Sequence, residues 1–427
     1  MKPFLNSIAA GALLAGLSIA QPRFTITDLG PLGAAPGQPF SITNSGMISG
    51  ASVGSDGTSH AILWYKGARL DLGTLGLRIS NSLAYGVNDS GQVVGMADSF
   101  TTYPYREDFC GFKSFGLPTW GTECLPFLWQ NGVMTPLPTL GGYNGQASMI
   151  NNHGQIAGTA ENAVRDPACP APQVLQFKPV LWQNGKVQEL PTAGGDPDGY
   201  AVAINDNGQA AGGSGLCAPF NEGTLNSLQP LHALLWQNGT AIDLGNLGGT
   251  GHNLGNFALG INNLGQVVGT SDLPGDKVSH AFLWAKGQGM QDLGTLPGDV
   301  FSVGVAIDDQ TNITGLSIDA TGNIRAFFWQ NGVMNDLNAL IPAGSSLYLL
   351  LACSINPHGQ IVGLALDGAG DLHGYIANPA PAGSGSEDAW AGGQGRTSPV
   401  YVSSSVRRQI FQRLRLARIP GKTPELE

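Results

Sequence analysis

Seven histidines are the first residues that could hold a metal or move protons. His60, His232, His280 and His373 each open a short apolar run, His153 and His358 sit in Asn-x-x-Gly turns, and His252 stands apart. Zinc sites are announced by HExxH or paired CxxC spacing, and neither occurs. Gly50-Ala51-Ser52-Val53-Gly54 matches the GxSxG nucleophile elbow. That motif needs a strand-turn-helix setting in an α/β sheet. Here it lies in a recurring phrase whose other copies carry Thr159, Gly213 or Thr270-Ser271, so the match is read as chance. Asp367–Asp371 and Asp319–Asn323 lack the alternating oxygen ligands of a calcium loop and are read as turns. Glu107 or Asp108 with Glu123 could form the carboxylate pair of glycoside hydrolysis. No residue is assigned a catalytic role, and neither metal nor cofactor is expected.

These residues are positioned by a repeat. One phrase recurs seven times, as in Val87–Gly95 (VNDSGQVVG), Ile150–Gly158 (INNHGQIAG) and Ile261–Gly269 (INNLGQVVG). A second ends at Trp64, Trp129, Trp182, Trp236, Trp284 and Trp329, with Gly after two further residues. A third, DLGTLGG-like, begins at Asp28, Asp71, Pro136, Glu189, Asp243, Asp292 and Asp336. The fixed spacings within two of the connections predict tight hairpins, with Asn, Asp and Gly supplying the turns. Each unit thus has four short strands, and seven such units predict an all-β, seven-bladed β-propeller. A bare first strand at about 24–29 and an orphan last strand at about 373–378 should pair and close the ring. Gly within the third strand predicts close backbone packing, and the recurring Trp predicts packing between blades.

His60-Ala61-Ile62-Leu63-Trp64, His232-Ala233-Leu234-Leu235-Trp236 and His280-Ala281-Phe282-Leu283-Trp284 resemble the repeat of the HAF family of probable extracellular proteins. The resemblance covers residues 24–378. It implies secretion and a repeat-built domain, and no reaction. Leu125, Lys178 and Arg325 depart from it, standing where His would be.

Successive antiparallel connections alternate between the two faces of the ring. Both tight hairpins therefore share one face, and the long insertions 96–124, 159–177 and 213–231 share the other. Loops on a rigid scaffold carry binding. The first insertion is aromatic, and its candidate contacts are Tyr103, Tyr105, Phe112 and Trp120 with Asp98 and Glu107. A non-catalytic binding module for polysaccharide or protein is expected. A carbohydrate-active enzyme using the loop carboxylates and a structural cell-surface protein are the alternatives.

Gly and Pro make 90 of 427 residues and charged residues 12%, which suits turn-rich β structure and excludes a helical bundle. The net charge of −10 argues against nucleic acid as partner. Residues 1–20 read as a secretory signal peptide, and a secreted, extracellular or periplasmic monomer is expected. Five Cys in such a chain predict Cys110–Cys124 and Cys169–Cys217 disulfides, with Cys353 left over. The propeller spans 21–379 and a Gly/Ser/Pro-rich linker 380–402. A basic amphipathic tail at 403–427 could meet an anionic surface through Arg407, Arg408, Arg413, Arg415 and Arg418, or dock onto the acidic propeller.

Overall fold

The computed structural model describes residues 22–32, 35–76, 79–105, 107–169, 173–220, 225–381, 400 and 402–414. The expected signal peptide and most of the linker lie outside them. The chain forms seven four-stranded antiparallel blades. Each blade begins one strand later than the sequence unit. Blade II, for example, runs Ser82–Val87, Val93–Thr102, Thr122–Gln130 and Val133–Pro136. The INxxG phrase thus ends the innermost strand, and the DLG phrase supplies the outermost. The innermost strands line a central channel with Phe40, Tyr85, Met149, Val202, Leu259, Val305, Leu351 and Cys353 among its residues.

Closure follows the expected strands. Phe24–Leu32 completes blade VII by pairing with Leu372–Pro379, with Phe24 opposite Pro379 and Asp28 opposite Tyr375. The same strand continues to pair with blade I through Leu32 and Ala35, so the seam joins two blades into one eight-stranded sheet.

Local chemistry explains each repeated residue. The innermost strands bulge, as between Ala84 and Gly86. The bulge drives a carbonyl toward the closing Gly of the third-strand phrase. A Cβ on Gly95 would strike the Leu83 carbonyl, and one on Gly363 the Leu351 carbonyl. Only Gly admits that approach. The Trp residues pack between blades, and the Trp182 and Trp236 indoles donate to the Pro138 and Pro191 carbonyls at 2.7 Å.

The His residues clip the two outer strands together. His60 meets Asp71 at 2.8 Å, His280 meets Asp292 at 2.9 Å and His373 meets Asp28 at 3.0 Å. The last contact repeats across the seam what other blades make internally. Arg325, a departure from the repeat, reaches the equivalent Asp336 at 3.2 Å and also Asp299 at 2.6 Å. His232 turns instead to Asp196 at 2.8 Å, and Lys178 donates to the Pro197 carbonyl.

On the tight-hairpin face the INxxGQ phrase builds a belt. The Asn88 side-chain Oδ1 accepts from its own turn at Ser90 N and Gln92 N. Its amide donates to the Gln92 side chain at 2.7 Å and to the next blade's Asn151 carbonyl at 3.0 Å. Asn151, Asn205 and Asn262 repeat the step to the following blade at 2.9 Å, and Asn356 returns to the Thr43 carbonyl at 3.0 Å. Asp308 and Thr43 lack the amide. There Gln310 donates to the Pro357 carbonyl at 3.2 Å and Asn44 to Asp89 at 3.0 Å, which completes the circle.

Candidate functional site

The opposite face carries all three insertions, and strands extend into them. The second strand of blade IV pairs with the third as far as Phe220 opposite Leu225. In blade II, Thr102 pairs with Thr122 and Tyr103 N donates to the Gly121 carbonyl at 2.8 Å. The sequence suggests loops, but paired ribbons form because they satisfy backbone groups that an open loop would leave to water.

Both expected disulfides form. Cys110–Cys124 closes the blade II insertion, and Cys169–Cys217 joins the insertions of blades III and IV. Cys353 stays outside both bridges and lines the channel.

Of the six expected contact residues, two are exposed. Trp120 is 52% exposed and Tyr105 46%. Phe100, on the same insertion, is 75% exposed. The Trp120 indole donates to the Ile79 carbonyl at 2.9 Å, which fixes the ring. The other four, Tyr103, Phe112, Asp98 and Glu107, are buried and pack within the insertion. Phe112 is fully buried, packed in one apolar cluster with Phe109 and the Cys110–Cys124 bridge. Tyr103 is fully buried too, edge-on to Tyr105 at 5.5 Å and to Tyr143 of blade III at 5.3 Å. Asp98 accepts from Asn81 N and from the Asn81 amide at 2.9 Å, and burial raises its carboxyl to about 6. Glu107 is buried near Glu161, and burial together with that second carboxylate pushes it well above the usual range.

The candidate acid pair is likewise engaged. Asp108 accepts from Phe112 N at 3.1 Å and Lys113 N at 2.8 Å, capping the short 3₁₀ helix Phe112–Phe115. Glu123 lies 3.5 Å from the Ser99 hydroxyl.

Sequence reasoning misses two acid pairs. In the first, Glu107 faces Glu161, which accepts from Asn144 N at 3.0 Å and from Gln173 at 3.0 Å, beneath the tyrosines. In the second, Asp198 stands seven residues before its repeat Asn, as Asn81 and Asn144 stand before Asn88 and Asn151 in blades II and III. The Asn81 amide donates to the Asp98 carboxylate. Asp198 instead has the Asp166 carboxyl as its neighbour. Burial and Asp166 raise Asp198 to about 8, against the pull of a bond from Phe177 N at 3.0 Å. Alignment of the repeat copies carries the signal, since Asp replaces an amide at a shared position. Among the described residues no three His, Cys, Asp or Glu side chains group as a metal would need.

The tail helix α1 spans Ser404–Arg413 and rests on this same face, against the Phe112–Phe115 turn. Val402, Val406, Ile410, Phe411 and Leu414 are buried in the cluster that contains Phe112, Phe301 and Leu350. This is the docking alternative, and it uses the stripe that a membrane would need. Arg407 and Arg408 are half-buried, with Arg407 lying against Gly322, while Arg415 and Arg418 fall outside the described residues. No described helix is long and apolar enough to cross a membrane.

No family model matches the chain, and no curated protein matches it. Solved structures do. The acylaminoacyl peptidase of Pyrococcus horikoshii is 8% identical, with a TM-score of 0.43 over 83% of this chain and 51% of that one. A puromycin-hydrolyzing peptidase of Mycobacterium tuberculosis is 14% identical, with a TM-score of 0.42 over 83% and 56%. The SapL1 lectin in complex with alpha methyl fucoside is 11% identical, with a TM-score of 0.27 over 70% and 79%. The chain spans about half the length of the two peptidases. All three scores fall under 0.5, so nothing about activity or ligand passes from these proteins to this one.

Proposed function

We propose that this is a secreted repeat propeller of the HAF type that binds a polysaccharide or protein partner through its insertion-bearing face, without catalysis. The exposed rings of Phe100, Tyr105 and Trp120, on an insertion made rigid by a disulfide and a buried tyrosine contact, carry the reading. Flat apolar rings with a polar edge suit sugar faces and protein hot spots. Holding them in place beforehand lowers the entropy lost on binding. The two disulfides fit an oxidising compartment. The hydrolase alternative has weaker support, because Asp108 caps a turn and Glu107 is buried.

The test is a glycan, polymer and protein binding screen, repeated with Trp120→Ala and Tyr105→Ala. Each substitution should weaken binding of any hit at least about tenfold, the share of one hot-spot ring. Unchanged binding in both variants, or turnover of a glycan during the screen, would overturn the reading.

A further inference from the structure

We propose that α1 is a tethered, displaceable plug, and that the channel mouth on the insertion-bearing face alternates between closed and open states. This rests on the tail's own contacts and holds whatever the propeller binds.

The channel encloses about 260 Å³, and Leu414 lines it together with Phe40, Tyr85, Leu351 and Cys353. Leu414 follows directly on α1, so the helix ends at the chamber. Ile410 and Phe411, one turn earlier, are fully buried. The mouth is therefore a groove built for apolar side chains at four-residue steps, and the chain's own tail fills it.

Three features make this contact separable. First, α1 has ten residues, and a helix that short is marginal in water without a surface to pack on. At its ends Arg407 N donates to the Ser403 carbonyl at 3.0 Å and Leu414 N to the Ile410 carbonyl at 3.1 Å. Ordering and docking therefore occur together. Five buried side chains must offset the entropy of fixing about a dozen residues, which leaves a narrow margin. Second, release of the tail breaks no strand pair, since the last strand ends at Pro379 with its own partners. Third, that strand ends on the tight-hairpin face, where Asn378 accepts from Gln360, while α1 sits on the other. Residues 382–399, AGSGSEDAWAGGQGRTSP, have the composition of a flexible tether. Eighteen residues can reach about 60 Å, against about 26 Å for an eight-residue strand. The tether thus allows docking on the same molecule with length to spare.

Cys353 is the reporter, because it shares the chamber with Leu414 and the other four Cys are in disulfides. The full chain carries a protease site placed within 382–399 and is labelled with a small maleimide. The uncut monomer should label slowly. After cutting, dilution should speed labelling at least tenfold, and a synthetic peptide of residues 400–416 should slow it again. Uncut Ile410→Asp/Phe411→Asp should label fast with its β-sheet circular dichroism intact; if that variant loses the signal, the cut chain alone decides. Labelling of the cut chain that is independent of dilution would overturn displacement. A slow-labelling uncut chain that sediments as a dimer would overturn closure within one molecule.

Discussion

The two faces of the ring are built on opposite principles. On the tight-hairpin face the same Asn-and-Gln turn is used in blade after blade, and each Asn donates to the next blade. Polar groups there pair with groups of their own kind, and the belt is closed. On the insertion-bearing face the blades differ from one another. It holds two disulfides, buried acid pairs, exposed aromatic rings and a docked helix. A closed belt gives stability without offering a surface. The irregular face accepts groups that are costly to bury and leaves rings exposed, the pattern expected where function is placed on a scaffold.

The contrast can be broken most sharply at the ring itself. Gly95→Val should cost about 3 kcal/mol or more, because the added atoms meet the Leu83 backbone carbonyl, which has no room to yield. Chemical denaturation measures it, and a cost under about 1 kcal/mol would mean that the bulge relaxes. Asn205→Ala comes next, at about 2 kcal/mol. It removes the donor to the Asn262 carbonyl and the acceptor of Asn207 N and Gln209 N. Both should lower the unfolding midpoint of the whole domain.

The insertion-bearing face should respond differently. Cys110→Ser/Cys124→Ser should raise amide exchange within 103–121 while the belt amides stay protected, because the bridge spans a sequence separation of only 14. Loss of protection around the whole ring would erase the distinction between the faces.

Proton linkage sharpens it further. Asp198 is raised to about 8 in the fold, against an ordinary value near 4. Between these values the folded state holds a proton that the unfolded chain releases. Its contribution is therefore fully present below about pH 4 and is lost as pH rises toward 8, by on the order of 1 kcal/mol per unit. Asp198→Asn restores the amide found at Asn81 and Asn144. It should flatten this slope and stabilise the protein at pH 8, as thermal unfolding at pH 5 and pH 8 will show. The smallest expected effect on stability is that of Trp120→Ala, under about 0.5 kcal/mol, since the ring is half exposed.

The repeat makes the ring legible from spacing alone. Phrase spacing sets the hairpins, the orphan strands name the seam, and parity puts the three insertions on one face. These are local or counted properties. The third-strand Gly residues are legible for the same reason, since a Gly in every copy signals one backbone contact. The candidate site is harder to read. Tyr103 and Tyr105 are two residues apart and alike in chemistry, yet one is fully buried and the other half exposed. Tyr143, about 40 residues on in the next blade, packs edge-on against both, at 5.3 Å from Tyr103 and 6.4 Å from Tyr105.

Strands, blade count, closing pair and both disulfides follow from the order of the residues, because turn chemistry and periodicity act over a few positions and repeat seven times. The amphipathic stripe of the tail is written there too. Three outcomes came from the folded ring instead: which aromatic rings face outward, that Asp198 is buried beside Asp166 with its carboxyl raised to about 8, and that the tail spends its apolar stripe on the channel mouth. They depend on what another blade brings within a few ångströms, and that is a property of the closed ring, not of any segment within it.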